Sequence, residues 1–399
     1  MRFGYEKAQD EGETKDRKRR IRRRAILLLN WRILLSFVRS VKNRKPSKSP
    51  SVHPAKPNTL APEMRVLCIV EHGDAPSIRL RLKDCLPVYQ RLGIETTILA
   101  TQRSRMSAQI RILRAARQHD VVVLFKTIGF SSLELAILHR INPRVIFDFD
   151  DAVMFREQKY EQPLTSRNFE KFRRTMSVCA AAAAGNSFLG SFAEACGVKA
   201  TILPTSIDLA KYRVKEQNAT DGLTIGWVGL SDGLRYLRHI QPALRRLSEK
   251  FPGARLKVVS DKPLELDGVR IQNESWRMDT EQEQLRSFDV GIMPLWDSVW
   301  TRGKCGYKIL QYMAAGTAVV ASDVGVNGEI ISSGQNGFLA RTEDDWVSSI
   351  GTLLENSTQR QAFGMRGREL IEQKFSLDRY AARYAELFRE VAGSPGLTT

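Results

Sequence analysis

From residue 64 onward, the chain alternates short apolar runs with longer amphipathic stretches. The runs VVVLF (121–125) and VIFDF (145–149) are continuous, whereas the stretch 107–118 repeats apolar side chains at helical spacing. Continuous Val- and Ile-rich runs joined by helical crossovers are typical of buried parallel strands, so the pattern predicts an α/β architecture. Further predicted strands lie at 66–70, 96–100 and 200–204, and further predicted helices at 77–92 and 131–140.

The pattern stops in the polar segment 208–221 and then starts again. The second set of predicted strands lies at 223–229, 255–260, 289–295 and 318–323, and helices close the chain at 344–354, 358–374 and 377–391. Two such units in tandem predict two Rossmann-like domains facing across a cleft, with ligands beyond the carboxyl ends of the strands. The predicted divisions are a tail (1–63), an N-terminal domain (64–205), a hinge (206–222), a C-terminal domain (223–375) and a terminal helix returning to the N-terminal domain (376–399).

The charge is unevenly distributed. The 399 residues have a formal net charge of +18, but residues 1–63 alone carry +11 of it. The remainder is only mildly basic. We therefore expect no specific nucleic-acid partner, although a high net charge on its own is a feature of nucleic-acid-binding proteins.

The basic tail contains an apolar stretch at 25–38 directly after the run KDRKRRIRRR. The stretch has about 14 residues, contains Asn30 and Arg32, and is shorter than the ~20 residues that span a bilayer. Residues 17–41 are thus predicted to form a basic amphipathic helix on an anionic membrane surface. The alternatives are an inert charged tail, a start assigned too early because Met64 opens the first strand, and a signal peptide or true span.

The five cysteines are scattered and form no Cys-x-x-Cys pair or Cys/His cluster. This spacing favours a reducing compartment and predicts no metal site. The chain also lacks Gly-x-Gly-x-x-Gly, which argues against a dinucleotide-dependent oxidoreductase.

The segment 296–330 carries the densest chemical signal. Lys304 and Lys308 flank the predicted start of a helix, and Gly303 and Gly306 allow a close backbone approach. Free N–H groups and the helix dipole bind anions at such a position, so a diphosphate is the predicted ligand. Gln311, one turn after Lys308, could bond a ribose or sugar hydroxyl. The alternative is that both lysines simply face solvent.

This segment resembles the donor-binding motif of retaining glycosyltransferases of family 4, which have the GT-B fold. That motif has two glutamates eight positions apart, and Gly303 and Gln311 stand where they fall. The run KCGYKILQYM resembles a Lys-Cys-Gly-x-Lys-x-Leu-Gln-Tyr-Met branch of the family. The resemblance implies a nucleotide-sugar donor, diphosphate contacts from Lys304 and Lys308, and no metal or other cofactor.

One further loop resembles a donor-binding loop of the family, and a second lies where the family usually has an Arg and a Lys but lacks that pair apart from Arg235. The segment SDVGVNGEI (322–330) implies donor contacts near Gly325, Asn327 and Glu329. The loop after the first strand of the second domain places Gly229 and Ser231 in a turn suited to a phosphate. The segments 204–212 and 376–388 resemble the hinge entry and the terminal helix of the family.

Asp150 and Asp151 directly follow the predicted strand at 145–149, so their side chains should point into the cleft. Together with Lys304 they are the candidate catalytic residues, unless they only cap the next helix. Asp150 is also a candidate acceptor contact, as are Arg79, after the first strand, and Lys126, after the strand at 121–125. The arginine could equally lie on the surface without a ligand.

The combined expectation is a hexosyl- or related glycosyltransferase that moves a sugar from a nucleotide-diphosphate donor to an acceptor hydroxyl with retention. The acceptor would be a glycan, a lipid-linked or a small molecule, in glycan, polysaccharide or glycolipid synthesis. We expect a cytoplasmic protein, peripheral on the inner face of the membrane. The alternatives are a sugar-nucleotide-binding protein without catalysis, for which the missing glutamates speak, and a nucleotide-sugar epimerase.

Overall fold

The apolar runs of the sequence form two parallel sheets in the computed structural model. It describes residues 62–71, 76–101, 106–156, 166–215 and 223–393, which all lie in one compact unit, Ala61–Thr399. The predicted amphipathic segment 17–41 lies outside the described residues. In the described ranges, every helix is too short or too polar to cross a bilayer.

The N-terminal domain is built on a parallel sheet. In the part of the chain that the structure describes, this sheet has six strands in the order β2-β1-β3-β4-β5-β6. Its inner strands are almost wholly apolar because helices cover both faces. The strands are β1 (Met64–Val70), β2 (Ile94–Ala100), β3 (Val121–Phe125), β4 (Val145–Phe149), β5 (Ala181–Ala184) and β6 (Ala200–Ile202). The helices are α1 (Pro76–Arg81), α2 (Leu86–Arg91), α3 (Met106–Gln118), α4 (Ser132–Ile141), α5 (Arg167–Met176) and α6 (Ser187–Ala195).

The C-terminal domain repeats this plan with the order β12-β11-β10-β7-β8-β9, again parallel. The strands are β7 (Thr224–Val228), β8 (Arg255–Ser260), β9 (Ile271–Ser275), β10 (Val290–Met293), β11 (Ala318–Ser322) and β12 (Phe338–Ala340). The helices are α7 (Leu234–His239), α8 (Gln241–Lys250), α9 (Glu281–Arg286), α10 (Val299–Arg302), α11 (Tyr307–Ala314), α12 (Asn327–Ile330), α13 (Glu343–Glu355) and α14 (Ser357–Lys374). The expected pair of α/β domains is thus confirmed.

The last helix, α15 (Leu377–Ala392), packs into the hydrophobic core of the first sheet. The chain crosses between the domains twice, and the crossings bond to each other: Ile207 N donates to Phe375 O and Leu377 N donates to Ile207 O, at 2.8 and 2.9 Å. Both crossings therefore share one hinge, which leaves the strand ends of both sheets on either side of a cleft.

A fully buried ion pair connects α1 to β4 in the N-terminal domain. Arg81 donates through Nε and Nη2 to the two carboxylate oxygens of Asp148, at 2.9 and 3.0 Å, and through Nη1 to Leu203 O at 2.7 Å. Both side chains have 0% exposure. The guanidinium of Arg81 is thus committed to Asp148 in the core and is not available to a ligand in the cleft.

The predicted helix at 77–92 is wrong in one respect, because the segment forms α1, a 3₁₀ turn at Lys83–Cys85 and α2. Pro87 explains the break: its ring removes a donor and clashes with the preceding turn of a continuing helix. The short strands β9 and β12 have no apolar run long enough to predict them. The alanine run 180–184 contains β5.

Candidate active site

The two lysines singled out from the sequence flank the start of α11. A loop of four residues, 303–306 (the lysine loop), connects α10 to α11, and Lys308 is the second residue of α11. Gly306 adopts a left-handed φ of 66° as the N-cap, and a Cβ there would lie 2.5 Å from Ile330 Cδ1. Only glycine meets both conditions without strain. The helix start is therefore fixed by the backbone, with no capping side chain occupying its N–H groups.

Lys304 and Lys308 line a cavity of about 220 Å³, the lysine cavity, at the carboxyl ends of β7 and β10. These neighbouring strands are where the strand order of the second sheet reverses, the usual ligand position in an open α/β sheet. Gly229 is part of this arrangement, because a Cβ there would lie 2.8 Å from Lys308 Cε. The other lining residues are Trp227, Leu230, Asp232, Gly233, Tyr236, Met293, Pro294 and Leu295.

Each lysine lies over an indole ring. Lys304 Nζ is 5.6 Å from the ring centroid of Trp300, and Lys308 Nζ is 5.5 Å from that of Trp227. Such contacts orient an ammonium group without neutralising its charge. Among the described residues, no carboxylate pairs with Lys304. The cavity therefore presents a positive charge beside a helix N-terminus, which suits an anion.

The candidate acidic residues lie after β4, where they were expected, but a lysine already binds them. Lys126 Nζ is 2.8 Å from Asp150 Oδ1 and also pairs with Asp151. Lys126 Nζ also donates a hydrogen bond to Ser77 Oγ, at 3.4 Å. Among the described residues other than glycine, Lys126 alone has a left-handed φ, of 53°. This conformation costs free energy, and residues that adopt it are concentrated at functional sites. The ammonium group of Lys126 is thus engaged with the acidic pair, Asp150 and Asp151.

Charge outweighs burial in this cluster. Burial favours the neutral carboxylic acid of Asp150, but Lys126 and then Arg81 hold the pKa of Asp150 below its ordinary value. Burial likewise disfavours the ammonium of Lys126, yet Asp150 and then Asp151 raise the pKa of Lys126. Asp150 is accordingly a carboxylate, suited to accept a hydrogen bond from a hydroxyl group.

The lysine loop touches the acidic segment directly across the cleft. Cys305 Sγ lies 3.2 Å from Asp150 O, and a Cβ on Gly303 would lie 2.7 Å from Ala152 Cβ. Burial and then the Asp150 charge raise the pKa of the Cys305 thiol well above its ordinary value, so the thiol is not a nucleophile. The structure thus brings the segment of Lys304 and the segment of Asp150 together.

Arg79 lines a second cavity, of about 420 Å³. Tyr307, between Lys304 and Lys308 in the chain, lines this cavity together with Lys211 and Tyr212 of the hinge. Within the described part of the chain, no hydrogen-bond partner meets the buried Nε of Arg79. Residues of the first turn of α11 therefore line both cavities, Lys308 the lysine cavity and Tyr307 the second one.

Several predicted donor contacts are occupied by partners within the protein. Both the N–H and the hydroxyl of Ser231 donate to Asp261, at 2.6 and 3.0 Å. Gln311 is 3% exposed and donates to Tyr212 Oη at 3.3 Å. The sequence alone could show neither partner, because both lie far away along the chain.

The polar side chains of the loop 322–330 likewise bond to groups within the protein. Asn327 is buried and donates to Ser322 O at 2.9 Å. Glu329 accepts a hydrogen bond from Ser187 of the N-terminal domain. A Cβ on Gly325 would lie 2.8 Å from Arg302 O. This loop supports the lysine loop in the structure rather than lining the lysine cavity.

Sequence reasoning missed the aromatic walls of the lysine cavity and one polar residue, Asn186. Trp227 is only one apolar residue of a strand in the sequence, and nothing there marks it as a wall. Asn186 follows β5 as Asp150 follows β4, so its position at a strand end was an available signal. No three Cys, His, Asp or Glu side chains of the described ranges meet in a way that could hold a metal ion.

Known proteins share this architecture. Residues 222–356 match the sequence profile of a family described as glycosyl transferases group 1, which is about a third of the chain. Over 95 residues the chain is 30% identical to alpha-maltose-1-phosphate synthase of Mycolicibacterium smegmatis, covering 22% of this chain and 24% of that enzyme. The match thus spans about a quarter of the curated relative.

Solved structures are similar over most of the chain. Anabaena Alr3699/HepE in complex with UDP-glucose has a TM-score of 0.61 and 15% identity, over 82% of this chain and 100% of that one. Sucrose-phosphate synthase from Thermosynechococcus elongatus has a TM-score of 0.63 and 11% identity, over 83% and 100%. The chain has the GT-B fold. The two sheets and the hinge described above are the two domains and the connection of that fold.

Proposed function

We propose that this GT-B protein is a glycosyltransferase that moves a sugar from a nucleoside-diphosphate donor to an acceptor hydroxyl with retention. The observation that carries the proposal is the lysine cavity: two lysines beside an uncapped helix start, at the strand-order reversal of the C-terminal sheet. The group 1 match over 222–356 includes this whole region. The Alr3699/HepE structures contain UDP, UDP with glucose, or UDP-glucose, which supports the donor class.

The proposed chemistry needs little from the protein beyond charge and position. When the sugar–phosphate bond breaks, negative charge develops on the diphosphate, and Lys304, Lys308 and the α11 amides would stabilise it. The carboxylate of Asp150 would accept a hydrogen bond from the acceptor hydroxyl and orient it. The leaving phosphate would take the acceptor proton on the same face of the sugar. No metal or other cofactor enters this proposal.

The absent glutamate pair favours one alternative, a protein that binds sugar nucleotides without turnover. Gln311 stands where the second glutamate of family 4 falls, and it is buried against Tyr212. Assignment to family 4 and to its lysine-containing branch is part of the proposal. Binding of a nucleotide sugar with no release of nucleoside diphosphate would favour this alternative, and an altered sugar without an acceptor would favour an epimerase.

The experiment is a turnover screen. The full chain is incubated with common nucleotide sugars, with and without candidate acceptors, and nucleoside diphosphate release is measured. We expect release from at least one donor and a loss of roughly 100-fold for Lys304→Ala. The matched control is Lys250→Ala, which removes an exposed charge of the same domain, paired with Glu355. Equal turnover of both variants would refute the role of Lys304.

The acceptor and the location are also proposals. We propose a glycan, lipid-linked or small-molecule acceptor at the carboxyl ends of the first sheet, in glycan, polysaccharide or glycolipid synthesis. We propose that the protein is cytoplasmic and that residues 17–41 bind the anionic inner face of the membrane. Co-flotation with anionic vesicles, lost in neutral vesicles and after deletion of residues 1–61, tests the membrane part.

A further inference from the structure

One side chain of the N-terminal domain holds the lysine loop of the C-terminal domain. Asn186 has two roles that use different atoms. Its Oδ1 caps α6 by accepting from Leu189 N at 2.8 Å. Its Nδ2 donates to Lys304 O at 3.0 Å and to Arg302 O at 3.3 Å. The side chain is 1% exposed, so these contacts are made away from competing water.

The lysine loop lies in a slot shaped for it. On one wall, a Cβ added to Gly185 would lie 2.3 Å from Cys305 Sγ. On the other, a Cβ added to Gly303 would lie 2.7 Å from Ala152 Cβ. Neither position has room for a side chain without a shift of the loop. The two domains are therefore in close contact here, and Asn186 supplies two of the hydrogen bonds of that contact.

Asn186 binds the carbonyl of Lys304, whose side chain carries the ammonium group, and the carbonyl of Arg302, the last residue of α10. Holding both fixes the backbone on either side of Gly303, and with it the direction in which Lys304 leaves the loop. The same contact places Cys305 against Asp150 O. One buried amide thus sets the register between the lysine cavity and the acidic pair.

We propose that Asn186 is a positioning residue: through the carbonyls of Arg302 and Lys304, it holds Lys304 in register with Asp150 when the cleft is closed. This inference rests on the proposed function, because it assigns to Lys304 the task of meeting the donor diphosphate. Asn186 itself touches neither donor nor acceptor in this account. Its effect is on the rate of the assembled complex.

A purely structural role, the capping of α6, is the competing explanation, and the chain allows the two to be separated. In Asn186→Asp the capping oxygen is kept, but the NH₂ donor is replaced by an oxygen facing two carbonyls. In Asn186→Ser a capping hydroxyl is kept, but it is too short to reach the loop; both residues are good N-caps. The matched control is Asn356→Asp: Asn356 is exposed and caps α14 by accepting from Gln359 N at 2.9 Å.

The full chain and these variants are compared by steady-state kinetics with the nucleotide sugar that the wild type uses. We expect both Asn186 variants to lower kcat about 10- to 100-fold, with the donor KM changed less than about threefold, since a small misplacement of a catalytic group is costly. Hydrogen–deuterium exchange should be faster at 299–306 in both. Asn356→Asp should change neither.

The outcomes separate the two proposals. Wild-type-like kcat and exchange in the Asn186 variants would overturn the inference, as would an equal loss in Asn356→Asp. If the wild type neither turns over nor binds UDP, the proposed function fails. The exchange measurement then decides alone whether Asn186 holds the loop: faster exchange at 299–306 supports that part, and unchanged exchange overturns it.

Discussion

Removing Arg81 should destabilise the N-terminal domain more than most single substitutions. Arg81 and Asp148 are both fully buried and share two hydrogen bonds, and Arg81 donates a third to Leu203 O. Arg81→Met leaves the carboxylate of Asp148 without its counterion in the core. Breaking a buried pair in this way costs about 3–5 kcal/mol. The pair also anchors β4, whose end carries the acidic pair of the cleft.

Urea unfolding, followed by far-UV circular dichroism, measures this cost; tryptophan fluorescence would report the other domain, because residues 64–205 contain no tryptophan. At a slope of roughly 3 kcal/mol/M, a loss of 3–5 kcal/mol lowers the midpoint by about 1–1.7 M. The double variant Arg81→Met/Asp148→Val should recover most of the loss, because an apolar replacement of a buried pair is often neutral. A midpoint shift of less than about 0.3 M for Arg81→Met would refute this reasoning.

The same variant has a predicted pH dependence. Burial already raises the pKa of Asp148, and Arg81 opposes the rise. Without Arg81 the pKa of Asp148 rises further, so the folded variant binds a proton that the unfolded chain does not hold. The deficit is therefore full above the folded pKa and shrinks as the pH falls towards the ordinary value of Asp. A deficit that grows between pH 8 and pH 5 would contradict this sign.

Two further predictions concern the acidic pair and the second sheet. Lys126→Met should raise the pKa of Asp150, which Lys126 holds low. The acid limb of the pH profile of kcat/KM should therefore move to higher pH, and Lys126→Arg should move it much less. Identical profiles for the two variants would contradict this prediction. Gly226→Ala places a Cβ 1.9 Å from Phe288 Cγ and should cost about 1–3 kcal/mol in chemical unfolding, whereas Gly253→Ala, with open space around it, should stay within about 0.5 kcal/mol.

The sheets could be predicted from the sequence because a strand that is buried on both faces has a continuous run of apolar residues. The runs Val121–Phe125 and Val145–Phe149 are continuous and almost wholly apolar, and they form the two central strands, β3 and β4. The position of Lys304 and Lys308 at a helix start was predictable for a similar reason: Gly303 and Gly306 mark the loop locally. The structure begins α11 at Tyr307, between Lys304 and Lys308 as expected.

The partners of the polar side chains could not be predicted this way. Ser231 and Asp261 are 30 positions apart, and Asn186 and Lys304 are 118 apart. Whether a polar side chain contacts a ligand or bonds within the protein depends on how the strand ends are placed in three dimensions. Gln311 shares the helix of Lys308, yet it faces the hinge, where Tyr212 binds it.

The central claim is that the lysine cavity holds the diphosphate of the donor. A crystal structure of the full chain with UDP tests it most directly. We predict diphosphate oxygens within about 3 Å of Lys304 Nζ and Lys308 Nζ, the distance of a charge-assisted hydrogen bond. A diphosphate bound elsewhere, with neither ammonium group in contact, would contradict the account.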